Sequence, residues 1–205
     1  MATPKPFELI AGHPALDFIN TLDYRFRDIP AHENLNSYDD ILRFVTESGL
    51  LSESKARKLK HLESTPAERA EILTQAIALR ETLAALAYAM LDHREIPNDA
   101  LESFDSFCKQ ASTHRHLIAS ESKLEWKWSG LTRNLASPLW LLAQSAADLL
   151  LSDQVTHLRG CASETCRWLF LDTSKNHTRR WCEMKTCGNR MKARRFQARN
   201  ANTTI

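Results

Sequence analysis

The chain has 205 residues, 43% of them hydrophobic and 25% charged, with 27 Lys and Arg against 25 Asp and Glu for a formal net charge of +2. That length allows one good-sized domain and a smaller module, and that composition excludes a disordered chain and leaves enough apolar surface for a packed core. The most apolar stretch, Leu139 to Leu151, is broken by Gln144, Ser145 and Asp148 and falls short of the roughly 20 residues of a membrane span, so no membrane contact is expected. Met1 to Ile10 has neither an apolar run nor a small-residue cleavage site and does not read as a secretory signal, so a cytoplasmic location is expected.

In chain order, the first 155 residues read mainly as helices. Ser37 precedes Tyr38 to Val45 as an N-cap, and Gly49 closes that helix. Thr65-Pro66-Ala67-Glu68 fits a capping box with proline at the first helical position, and it opens the longest helical pattern, through Met90 and Leu91. Asn98 starts a helix to about Gln110, and Ser137-Pro138 starts the apolar helix to Leu151. Between these two, Leu117 to Ala119 and Leu124 to Trp128 predict a small β-hairpin turning at Ser120 to Lys123. Trp126 and Trp128 share one face of it and are expected in the core. Cys108 reads as a small buried hydrophobe.

Charge and cysteine content change together near Gln154 to Gly160, which sets the expected domains as 1–155 and 156–205. From His157 to Arg199 there are eleven Lys or Arg against three acidic residues, a net +8; the rest of the chain is net −6. A nearly neutral protein is thus an acidic body with a basic tail.

Four of the five cysteines lie in that tail, as Cys161-x4-Cys166 and Cys182-x4-Cys187. In a reducing compartment such paired thiolates more often bind metal than form disulfides. Four soft ligands favour one structural zinc ion and leave no open position for a reactive water; an iron–sulfur cluster is the other occupant four thiolates would accept. His177, between the pairs, reads as a loop histidine. Arg167 to Leu171 and Arg179-Arg180-Trp181 predict a hairpin between the metal knuckles, too small to fold without the ion. Gly188 is expected to turn the chain with a positive φ and Asn189 to cap a final helix. On that helix Arg190, Lys192, Arg194, Arg195 and Arg199 spread over one broad arc, with Ala193 and Phe196 opposite, free to pack on the hairpin. Together with Arg179 and Arg180 they form a cationic face suited to phosphates; the alternative is a solvated face, or one docked on an acidic protein surface such as this chain's own bundle.

Phe170-Leu171-Asp172, Arg179-Arg180-Trp181-Cys182 and Cys187-Gly188-Asn189-Arg190 make Cys161 to Arg199 resemble the bacterial CGNR zinc-finger family, and Gly12 to Thr21 is similar to the opening of the ABATE domain that precedes this finger. The resemblance implies a mainly α (α+β) fold: a helical bundle with a small hairpin, then a treble-clef-like four-cysteine zinc finger ending in a basic helix. It also implies a stress-induced transcriptional regulator that binds duplex DNA. A homodimer, or a small-molecule ligand near Asp17 and Asn20, would fit such a regulator. For those two residues the competing reading is that they fasten their segment to the bundle through local hydrogen bonds. No enzyme chemistry is expected, since the thiolate shell looks closed and no Ser/His/Asp or paired-carboxylate arrangement is evident.

Overall fold

The computed structural model describes residues 5–163 and 165–201, and of these all side chains but those of 195 and 198–201. Among the described residues the protein is mainly helical, with short strands in antiparallel pairs. The N-terminal part runs through helix α1 (Pro14–Ile19), strands β1 (Leu22–Asp23) and β2 (His32–Glu33), and helices α2 (Tyr38–Glu47), α3 (Glu53–Lys60), α4 (Pro66–Leu91) and α5 (Asn98–Ser112). Strands β3 (Arg115–Ser120) and β4 (Lys123–Trp128) and helix α6 (Ser137–Leu150) complete it. A 3₁₀ turn at Asp153–His157 leads to β5 (Leu158–Gly160), β6 (Leu169–Leu171), a π-helical turn (Met184–Gly188) and helix α7 (Asn189–Ala201).

The helix ends follow their local chemistry. Ser37 accepts from the Asp40 amide at 3.2 Å. Thr65 and Glu68 exchange side-chain to backbone bonds in both directions, closing the capping box that starts α4. Helices α4 and α6 lie at the centre, each packed against α1, α2 and α5, and bury Leu79, Leu83, Leu142 and Leu149 almost completely. A charged side chain of α4 enters this core. Arg80 is 2% exposed and grips Glu33 with two bonds of 2.6 and 2.7 Å, holding β2 against α4. Arg80 also donates to Glu81 at 2.9 Å and to the Thr21 hydroxyl at 3.2 Å, so its buried charge is paired and hydrogen-bonded, as a buried guanidinium requires.

The core does not stop where composition changes. Leu158, Leu169, Phe170 and Leu171 belong to the same buried cluster as the bundle residues, as do Cys161, Cys166, Cys182 and Cys187. Strand β5 lies against the end of α4 so closely that a Cβ on Gly160 would come within 2.9 Å of Leu91. Among the described residues no helix is long and apolar enough to cross a membrane.

The β3–β4 hairpin forms at its predicted place, but the expected burial of Trp126 does not hold. Trp126 is 57% exposed, while Trp128, nearer the base, is half-buried against the core. Leu117 and Leu124, which share its face, are exposed as well, so among the described residues no helix covers the outer part of the hairpin.

Candidate metal centre

The four cysteines come together from three local structures. Cys161 follows β5 and Cys166 precedes β6, so the first pair sits in the turn between two paired strands. Ser163 holds that turn, its carbonyl accepting from the amides of Cys166 (2.8 Å) and Arg167 (3.1 Å). Cys182 follows Trp181, and Cys187 lies in the π-helical turn before α7.

All four Sγ atoms lie within 4.8 Å of one another and all four residues are buried. Cys166 to Cys182 measures 3.7 Å and Cys182 to Cys187 3.6 Å. A tetrahedral ion with metal–sulfur bonds of about 2.3 Å sets its ligands about 3.8 Å apart. A multi-iron cluster, with bridging sulfides between its metals, would hold its thiolates farther apart, so the spacing suits one ion. The thiols also hydrogen-bond to one another: Cys161 is held well below the ordinary thiol range by bonds from Cys166 and Cys182, and those two are driven well above it by the bonds they make to Cys161. Sulfurs this close do not all ionise unaided, and a cation at their centre removes the conflict. His177 lies outside the cluster. Its Nδ1 is 2.9 Å from the Asp172 carbonyl and its ring stacks on His157 at 4.5 Å.

Three local expectations are corrected. First, β6 pairs with β5 and not with Arg179 to Trp181; the segment beyond β6 is instead a loop organised by buried Asp172, which accepts from the Ser174 hydroxyl (2.5 Å) and amide (3.0 Å) and from the Arg179 amide (2.9 Å). The Ser174 hydroxyl foremost, with those amides, keeps its carboxyl below the usual range. Second, Gly188 has no positive φ. Its missing side chain serves packing, because a Cβ there would meet Met184 Sδ at 2.5 Å and Trp181 Cδ1 at 3.2 Å. Third, Asn189 is the first residue of α7 and not its cap; its side-chain amide donates to the Lys185 carbonyl at 3.2 Å.

The basic residues divide. Arg179 faces inward: it donates to the carbonyls of Trp181 (3.1 Å), Ile10 (3.0 Å) and Cys182, with its guanidinium 4.3 Å from the Phe170 ring centre. It fastens the metal loop to the N-terminal segment. Arg180, Arg190, Lys192 and Arg194 are exposed, joined by Lys185, which sequence reading left out. The side chains of Arg195 and Arg199 lie outside the described residues. Ala193 and Phe196 do not pack on the finger: both are exposed, Phe196 to 66%, and among the described residues α7 packs chiefly against the π-helical turn.

What sequence spacing does not reveal is how the finger is seated. The Cys161 amide donates to Trp168 at 2.8 Å and the Asp172 amide to His157 at 2.9 Å, and alternation then turns the main-chain groups of Leu169 and Leu171 away from β5. The Leu171 amide donates to the Ala11 carbonyl at 2.8 Å, and the Asn20 carboxamide bonds both the amide and the carbonyl of Leu169. Asp17, three residues earlier, accepts from the Ala11 amide at 2.9 Å and so shapes the segment that covers β6. Asp17 and Asn20 therefore act as fasteners, but Asn20 fastens to the finger and not, as expected, to the bundle. Tyr88 on α4 donates to the Arg167 carbonyl at 3.0 Å, and Arg167 pairs with Asp92 at 2.7 Å.

Two family models match the chain. Residues 157–200 match the CGNR zinc finger, and residues 12–153 match ABATE, described as "Putative stress-induced transcription regulator". No curated protein sequence matches. The ABATE match spans more than half of the chain, and the finger's match encloses all four clustered cysteines, so the protein belongs to the ABATE family and carries a CGNR zinc finger behind its helical domain.

Proposed function

We propose that the protein is a cytoplasmic DNA-binding transcription regulator in which one structural zinc ion, held by Cys161, Cys166, Cys182 and Cys187, fixes the root of a basic helix that docks on duplex DNA. The observation that carries this reading is the state of the cations. Arg180, Arg190, Lys192 and Arg194 are exposed, and among the described residues none makes an ion pair with the acidic body. A helix standing clear with unneutralised charge is suited to phosphates, whose condensed counterions are released on contact. The closed thiolate shell gives the ion no open position, so its part is to order the finger.

Binding of the metal-loaded chain to random-sequence duplex across a salt series tests this. Arg190→Ala with Arg194→Ala should weaken binding and flatten the plot of log affinity against log salt by about 0.9 per lost phosphate contact. A second reading rests on Phe196, whose exposed ring among cations also suits a groove on an acidic protein. No duplex binding at low salt would remove the DNA reading and leave that one.

A further inference from the structure

The outer part of the β3–β4 hairpin carries an apolar face that is exposed among the described residues. Residues across the ladder pair as Leu117 with Trp126 and Ala119 with Leu124, so these four side chains share one face. Leu117 is 54%, Leu124 73% and Trp126 57% exposed. At the base the same face is closed by Arg115, whose guanidinium lies 4.6 Å from the Trp126 ring centre and bonds Gln144 on α6.

The outer edge of β4 is also open. The Ser129 amide donates to the His114 carbonyl at 2.8 Å, which makes that pair a hydrogen-bonded one. Alternation along the antiparallel ladder then makes Arg115–Trp128, Leu117–Trp126 and Ala119–Leu124 the non-bonded pairs, whose amides and carbonyls point away from the partner strand. On β4 these are Leu124, Trp126 and Trp128. The sheet ends there, since β3 and β4 pair only with each other among the described residues. The same geometry at β6 is covered by Ala11 and Asn20. At β4 no such cover is present among the described residues.

We propose that this edge is an interface between two copies of the chain, formed by antiparallel pairing of β4 with β4 about a two-fold axis at Trp126. Outward-pointing residues must meet outward-pointing residues, which restricts the registers. Pairing centred on Glu125 sets Glu125 against Glu125, and pairing centred on Lys127 sets Lys127 against Lys127; like charges directly opposite are unfavourable. Centring on Trp126 sets Glu125 of each copy opposite Lys127 of the other, Trp126 opposite Trp126, and Leu124 opposite Trp128. Charge and apolar surface are both complementary in this register, and the interface is isologous, as a closed dimer requires. Charges on an edge strand ordinarily repel further strands; here the two signs disfavour the registers centred on Glu125 and Lys127, and a register centred on Leu124, which would also set Glu125 opposite Lys123, runs into the turn at Glu121 and Ser122 after one pair on either side. The β3 edge is less suited, because Arg115 is tied to α6 and Ile118 and Ser120 are half-buried, whereas β4 is exposed from Lys123 to Lys127. The proposal does not depend on DNA binding.

Sedimentation of the full metal-loaded chain over roughly 1 to 100 µM tests it. The wild type should move from one to two chains with concentration. Glu125→Lys sets Lys against Lys, Lys127→Glu sets Glu against Glu, and each should weaken association on the order of tenfold. Both sites are exposed, and circular dichroism checks that each variant is folded. An equimolar mixture of the two variants should recover association, because every cross-strand pair is then opposite in sign, and the double variant E125K/K127E should associate as the wild type does. A single-chain mass throughout would overturn the proposal. Association unmoved by the single substitutions would overturn it equally, placing the dimer contact elsewhere.

Discussion

Asn20 and Leu169, 149 positions apart, are joined by a two-way bond: the Asn20 side-chain amide donates to the Leu169 carbonyl at 2.9 Å, and its oxygen accepts from the Leu169 amide at 3.0 Å. A carboxamide offers one donor and one acceptor side by side, as a main-chain peptide does, so Asn20 stands in for a neighbouring strand on the outer edge of β6. It is 5% exposed and Leu169 is fully buried. Asn20→Ala leaves two buried main-chain groups without partners and should cost about 3 kcal/mol of unfolding free energy in urea titration. A loss under about 0.5 kcal/mol would mean that water replaces the carboxamide.

Asp17 sets a pH dependence. Burial raises its carboxyl to about 6, against the opposing pull of the Ala11 and Ile10 amides and the Arg179 guanidinium. The folded state then holds this proton more tightly than the unfolded chain, whose carboxyl titrates near 3.8. Its contribution is complete below the unfolded value and is lost as pH rises through about 6, leaving an ionised buried group at neutral pH. Asp17→Asn keeps the acceptor for the Ala11 amide and removes that charge. The variant should be the more stable at pH 7, by about 2 kcal/mol, with an advantage that grows from about pH 4 to about 6 and then levels. Measuring the difference between variant and wild type cancels effects common to both, including those at the cysteines. An advantage that does not change with pH would show that Asp17 is ionised in both states across this range.

Metal removal should reach beyond the finger. Leu169, Phe170 and Leu171 share a core with α1, α4 and α6, so loosening the cysteine turns loosens the bundle. Cys182→Ser should reduce bound metal from one ion per chain to near none by elemental analysis, and chelation should shift a single thermal transition downward by about 10 °C. A bundle transition that stays in place would show that the finger is held independently.

Much of the candidate site was legible because it is written in nearby residues. The cysteine spacings, the capping box at Thr65 to Glu68 and the charge of the tail are local patterns, and each stands in the structure where it was expected. Where sequence reading failed, the deciding contact came from far away. Arg179 looked like one more cation of the tail until Ile10, Trp181 and Cys182 offered it carbonyls. Arg80 lay in an apolar helical run with no signal that Glu33, 47 positions back, would receive it. Trp126 had the alternation of a buried strand face, yet among the described residues no helix covers it.

The sequence by itself determined helices α2, α4, α5, α6 and α7, the β3–β4 hairpin, the thiolate set and the uneven charge, because periodicity, capping and ligand spacing act over a few residues. The tertiary structure alone decided that finger and bundle share one core, which cations face solvent, and which strand edges are covered. Those outcomes rest on hydrogen bonds and burial between segments far apart in the chain, and main-chain groups pointing out of a strand carry no mark in the side chains that the sequence spells.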